Sequence, residues 1–169
     1  MRRRHPSPSL VLCAAAIVCL GLAAFRPAAP AAAASPQAEG SKAPVPAGAI
    51  IEPEDLARIL QSRDAEKPLI LQVGFKFLYH EGRIPGSEYA GPASRDEGIK
   101  LLRQRLASVA HGKFIVIYCG CCPWIKCPNV KPAYQALLAM GFTHVRVLRI
   151  DGNFGANWVS KGYPTAKGE

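Results

Sequence analysis

From residue 49 onward the chain alternates short unbroken apolar runs with stretches whose apolar residues recur every three to four positions, the patterns of buried strands and amphipathic helices. Ala49-Ile50-Ile51 is a brief apolar start. Pro53 suits the first position of a helix over 54–62, with Leu56, Ile59 and Leu60 as its buried stripe. The run 68–73, bounded by Pro68 and Gly74, has strand length and no polar alternation, as in a parallel sheet covered on both faces. Residues 82–87 are turn-forming, and 88–90 add a short strand. Residues 96–110 place Ile99, Leu102, Leu106 and Val109 at helical spacing, leaving Lys100, Arg103 and Arg105 to water. A central strand is predicted over 114–118 and a last one over 144–148. Between them lies a helix over 130–140, with Asn129 as N-cap, Ala133, Tyr134, Leu137 and Leu138 inward, and Gly141 as the stop. Strands alternating with helices predict an α/β domain: a central parallel sheet flanked by helices, with ligand chemistry at the carboxyl ends of the strands.

The N-terminal third changes the picture. Arg2, Arg3 and Arg4 precede an uncharged apolar stretch, 10–24, too short for a comfortable membrane span and suited to an export signal. Ala32-Ala33-Ala34 offers the small residues a signal peptidase reads, so a signal peptide over 1–34 cleaved before Ser35 is expected. The alternative is an uncleaved anchor, with Phe25-Arg26 as a weak stop and the membrane reached only through it. Cys13 and Cys19 would leave with the signal, neither being preceded by the small residue of a lipoprotein site. Residues 35–48, rich in Pro, Ala, Gly and Ser, read as a flexible linker to one domain over 49–169. The full chain carries +9, and loss of the signal's four arginines leaves +5. Its Lys and Arg residues are dispersed and not interleaved with aromatics, which argues against nucleic-acid binding.

Chemistry concentrates in Cys119-Gly-Cys121-Cys122-Pro-Trp-Ile-Lys-Cys127, directly after the strand over 114–118. A strand-end cysteine followed by a loop and a helix start is expected to receive backbone N–H groups and the positive helix end, which favour thiolate. Cys119 is the candidate nucleophile, with Cys121, Cys122 and Cys127 as auxiliary thiols. In an oxidising compartment four such cysteines are expected to be paired, metal-bound, modified or kept reduced by a partner.

An ordered series of motifs resembles the rhodanese-like family. Gly82-Arg-Ile-Pro-Gly-Ser87 is similar to its Gly-His-Ile-Pro-Gly-Ala turn, and Ile115-Val-Ile-Tyr-Cys119 to the strand entering its active cysteine. Asp151-Gly-Asn153, Trp158 and Gly162-Tyr-Pro164 resemble its closing Gly-Gly, Trp and Gly-aromatic-Pro sequence. The resemblance implies a three-layer rhodanese-like domain and sulfane-sulfur transfer, with a persulfide formed on Cys119 from thiosulfate or another small sulfur donor and passed to a thiol acceptor. Two departures stand out. Gln72-Val73-Gly74 replaces the family's Asp-Val-Arg, removing a bracing carboxylate and guanidinium, and the cysteine loop is longer and richer in thiols than the usual one.

Within that loop Lys126, or Lys131 beyond it, is expected to support the thiolate and an anionic donor, Asn129 to support the loop or the anion, and Trp124 either packs the loop or walls off the sulfur pocket. Arg83, where the family has histidine, is a turn residue or an anion contact. Asp151 is expected to brace the loop, while His80, His111 and His144 are scattered and form no triad. No arginine follows Cys119 through residue 129, which disfavours phosphatase chemistry. No cofactor is expected on this reading. Three alternatives stay open: Cu(I) or Zn(II) held by the four thiolates, a disulfide such as Cys122 with Cys127 pinning the loop, and a thioredoxin-like oxidoreductase built on Cys119-Gly-Cys-Cys122 and served by a redox partner protein.

Overall fold

The computed structural model describes residues 45–168; the expected signal peptide and the linker up to residue 44 lie outside them. The packed body begins a little before the expected boundary. Val45 is buried in the core and Ala47–Ala49 forms a 3-10 turn leading into β1, Ile50–Ile51. The remaining strands are β2, Leu69–Gln72, β3, Glu88–Tyr89, β4, Ile115–Tyr118, and β5, Val145–Leu148. They form one sheet in the order β1-β5-β4-β2-β3, every pair parallel. The sheet has no antiparallel strand pair among the described residues, so the mixed sheet of a thioredoxin-like arrangement is not the fold.

Helices cover both faces. α1, Pro53–Gln61, and α5, Phe154–Asn157, lie on one; α3, Asp96–Leu106, and α4, Val130–Ala139, lie on the other. The two-residue period of β4 assigns its side chains to these layers. Val116 and Tyr118 join Leu56, Ile70 and Trp158 in the first core; Ile115, Ile117 and Cys119 join Leu102, Leu106 and Leu137 in the second. Leu138, expected inward, is 48% exposed, and Ala136 packs inward in its place.

β4 also anchors the turn over 82–87. The Tyr118 hydroxyl accepts from the Ile84 N–H at 3.3 Å and lies 3.2 Å from Ser87 Oγ. Burial pushes this hydroxyl's pKa up to about 12, so it stays a neutral brace. β3, next in the sheet, is tied to α3 by Arg105, whose guanidinium meets the Glu88 carboxylate and holds its pKa low.

Candidate active site

Cys119 follows β4 at the carboxyl end of the central strand, and its residue is only 2% exposed. Two residues, one in β2 and one in the loop after it, make that placement possible. Gln72, 1% exposed, donates from Nε2 to the Cys119 carbonyl at 3.0 Å and accepts the Gly74 N–H at 3.2 Å, so one amide holds both loop starts. Gly74 provides room: a Cβ there would sit 2.7 Å from Cys119 Sγ and 2.9 Å from Gln72 Nε2. The Gln72-Val73-Gly74 departure thus supplies its own brace, which the sequence comparison read only as a loss.

Gly74→Ala is expected to destabilise the protein by about 1–3 kcal/mol through overpacking, and to lower the reactivity of Cys119 by displacing its sulfur. Urea unfolding together with thiol-labelling rates checks both effects. An unchanged unfolding midpoint would show that the sulfur has free space to retreat into.

The loop folds the four cysteines back on one another. Cys119 and Cys121 sulfurs are 3.1 Å apart, as are those of Cys121 and Cys122, and all four residues are free thiols. The sulfurs of Cys119, Cys121 and Cys127 lie within 4.8 Å of one another, so these three can share an ion. Gly120 adopts φ +82°, turning the chain between the first two thiols against Phe154. A 3-10 turn, Trp124–Lys126, then carries the loop across the body, with the Trp124 N–H donating to the Ile150 carbonyl at 2.7 Å. The Trp124 side chain packs against the core of the α3/α4 face and does not line the cavity.

Asn129 is fully buried, and its side chain does not cap α4. Its backbone is already helical at φ −90°, ψ −32°. The amide instead accepts the Ser94 N–H at 2.9 Å and donates to Cys119 Sγ at 3.4 Å. Cys119 receives the expected loop N–H, from Cys121, but the N–H groups of Asn129 and Val130 at the start of α4 are directed at Cys127. Loop length is the reason, since Cys127 lies two residues before the helix-side amides while Cys119 lies ten away.

The charge follows the amides. A hydrogen bond from Cys119, reinforced by the two backbone N–H groups, lowers the Cys127 pKa to about 5. The same shared bond, with burial, pushes the Cys119 thiol well up, and burial raises Cys122 to about 12. The resting negative charge of the cluster therefore sits on Cys127.

A cavity of about 340 Å³ opens beside Cys119 and Cys121, walled by Leu78, Tyr118, Phe154 and Val159 with Glu81 and Lys167 among its lining. Lys126 is exposed and outside this cavity, as is Lys131. Arg83 is engaged elsewhere: its backbone pairs with Ala166, and its guanidinium lies 4.7 Å from the Tyr79 ring centre and bonds the Gly168 carbonyl. Asp151 accepts from Arg149 and does not line the cavity. Of the cations expected to serve the site, none lines the cavity, whereas Lys167, which sequence reasoning did not single out, does. It lies in the tail that the Arg83–Ala166 bridge folds back against α2, Lys76–Glu81.

No protein-family model matches the chain, and no curated protein matches it in sequence. Solved structures do. The crystal structure of the Alr3790 protein from Anabaena sp. is 24% identical, covering 70% of this chain and 92% of its own, with a TM-score of 0.54. A solution structure of the rhodanese-like domain of that protein is 23% identical over 70% of this chain and 79% of its own, with a TM-score of 0.53. The BH2092 protein from Bacillus halodurans, at 18% identity, covers 70% of this chain and 76% of its own with a TM-score of 0.54.

Proposed function

On a rhodanese-like fold, we propose that the protein is a sulfane-sulfur transferase whose persulfide forms on Cys119. The observation that carries this reading is the placement of Cys119: it ends the central strand of a parallel sheet and lines the one wall of the 340 Å³ cavity that is formed by thiols. A nucleophile at that point can be reached by a small donor, while Gln72 and Asn129 fix its orientation from behind.

The half-reaction is a displacement at sulfur. The Cys119 sulfur attacks the sulfane sulfur of thiosulfate, the donor S–S bond breaks with its electron pair leaving on sulfite, and Cys119 holds the transferred atom as a persulfide. The thiol proton passes within the cluster to Cys127, whose sulfur lies within 4.8 Å. An acceptor thiolate then attacks the outer sulfur and frees Cys119. Cys121, 3.1 Å from Cys119, and Cys122, 3.1 Å from Cys121, form a relay by which the atom reaches the more exposed end of the loop without any net oxidation. On this reading donor and acceptor are small molecules or thiol proteins met after export.

The test is intact-mass analysis of the reduced, desalted protein before and after thiosulfate, without reductant, followed by peptide mapping. One added sulfur on the peptide bearing Cys119 is the expected outcome. No added mass with thiosulfate or with an organic persulfide would remove the assignment.

A further inference from the structure

We propose that Cys119, Cys121 and Cys127 form a three-sulfur site for a single Cu(I) ion, occupied in competition with sulfur loading. Among the described residues this trio is the one group of potential ligands whose donor atoms all lie within 4.8 Å of one another, and no histidine or carboxylate joins it. An all-sulfur donor set selects soft ions. Structural zinc wants four ligands, and here the fourth thiol, Cys122, meets Cys121 and interacts with Cys127 but is not one of the set whose donor atoms all lie within 4.8 Å.

The dimensions suit three-coordination. Metal–sulfur bonds of about 2.3 Å in a flat trigonal arrangement set the sulfurs roughly 4 Å apart. The sulfurs already stand near that spacing, at 3.1 Å for Cys119 to Cys121 and within 4.8 Å for every pair. The outer shell is already in place. Asn129 Nδ2 points at the Cys119 sulfur at 3.4 Å, and the amides of Asn129 and Val130 point at that of Cys127. Such donors orient thiolates and spread their charge, and burial of Cys119 and Cys127 keeps competing water away.

This inference does not depend on sulfur transfer, yet it constrains it: a thiolate bound to copper is not available to attack a donor. The test is an anaerobic titration of the reduced full chain with Cu(I) against a chromophoric Cu(I) chelator, with native mass spectrometry for stoichiometry and X-ray absorption for the number of sulfur neighbours. One ion per chain with three sulfur neighbours is expected. Cys119→Ser, Cys121→Ser and Cys127→Ser should each weaken binding by about 100-fold or more, and Cys122→Ser by less than about threefold. Far-UV circular dichroism of each variant separates a lost ligand from a lost fold.

Binding of two or more ions that requires Cys122, preference for Zn(II) over Cu(I), or release of all copper to the chelator would each overturn the site. Sulfur uptake from thiosulfate in a chain that holds no copper would leave the transferase reading standing alone. Copper binding in a chain that takes up no sulfur would leave only the metal site.

Discussion

Cys119→Ser is expected to cut sulfur uptake from thiosulfate to below about one hundredth of the wild-type value, because a serine hydroxyl at the same place has neither the acidity nor the nucleophilicity of a thiol. The substitution is nearly isosteric and the residue is buried beside Gln72, Gly74 and Asn129, so the fold should survive it. The neighbouring thiols supply the contrast. Cys121→Ser and Cys122→Ser should load sulfur on Cys119 and pass it on more slowly, since each removes one 3.1 Å step toward the surface. Cys127→Ser should slow loading itself, because the cluster loses the sulfur that holds its resting charge. Single-turnover loading followed by timed transfer to a thiol acceptor separates these steps. Full uptake by the Cys119→Ser protein would move the nucleophile to another cysteine.

Trp158→Ala should be the most damaging single change to stability, costing about 3–5 kcal/mol as a large aromatic removed from a core. Trp158 is fully buried, stacks with Phe154 at 6.1 Å between ring centres and meets Tyr163 at 5.0 Å. Its indole N–H also donates to the Pro164 carbonyl at 2.8 Å, tying the tail to the body. The loss should reach the cavity as well, since Phe154 forms one wall and Thr165 and Lys167 another. Urea unfolding checks the first effect and sulfur uptake by the folded fraction the second. A shift of the midpoint too small for such a loss would mean that Tyr163 and Phe154 collapse into the space.

Most of the layered architecture is legible in the chain because its elements are long enough to show a period. β2 and β4 read as apolar runs, β5 as a short strand-like stretch interrupted by Arg146, and α1, α3 and α4 as stripes. What escaped notice lacks that signal. α2 buries none of its six residues, so it carries no apolar stripe. α5 is a single turn fixed by the Asn153 side chain accepting the Ala156 N–H, a local device that periodicity cannot see. Cys119 was legible as a strand end because it follows the apolar run of β4 directly, and the structure ties that strand to the turn over 82–87 through Tyr118.

The site was less legible, for a different reason. Its thiols are adjacent in sequence, but its braces are not. Gln72 lies 47 residues from Cys119 and Ser94 lies 35 from Asn129, and neither pairing leaves a trace in composition or spacing. Asn129 looks like a helix cap because it precedes a helix, yet its amide is spent on a sulfur and a distant N–H. The helix start was rightly read as a source of N–H groups. Which sulfur received them depended on the path of the intervening loop, which no local rule supplies.

The pairing of β1 with β5 has a bearing on when the molecule can form. Ile50 lies beside Val147 and Ile51 beside Leu148, so the first strand of the sheet waits for the last. During synthesis the ribosome must release the chain through Leu148 before the sheet is complete, and the closure that joins such distant segments is slow compared with local helix formation. Until β5 pairs with β4, the core that buries Cys119 and Cys127 is incomplete, because Val145 and Val147 belong to it. Burial of Cys119 and Cys127 is thus a property of the finished sheet, and a chain that still lacks β5 leaves its thiols open to oxidation.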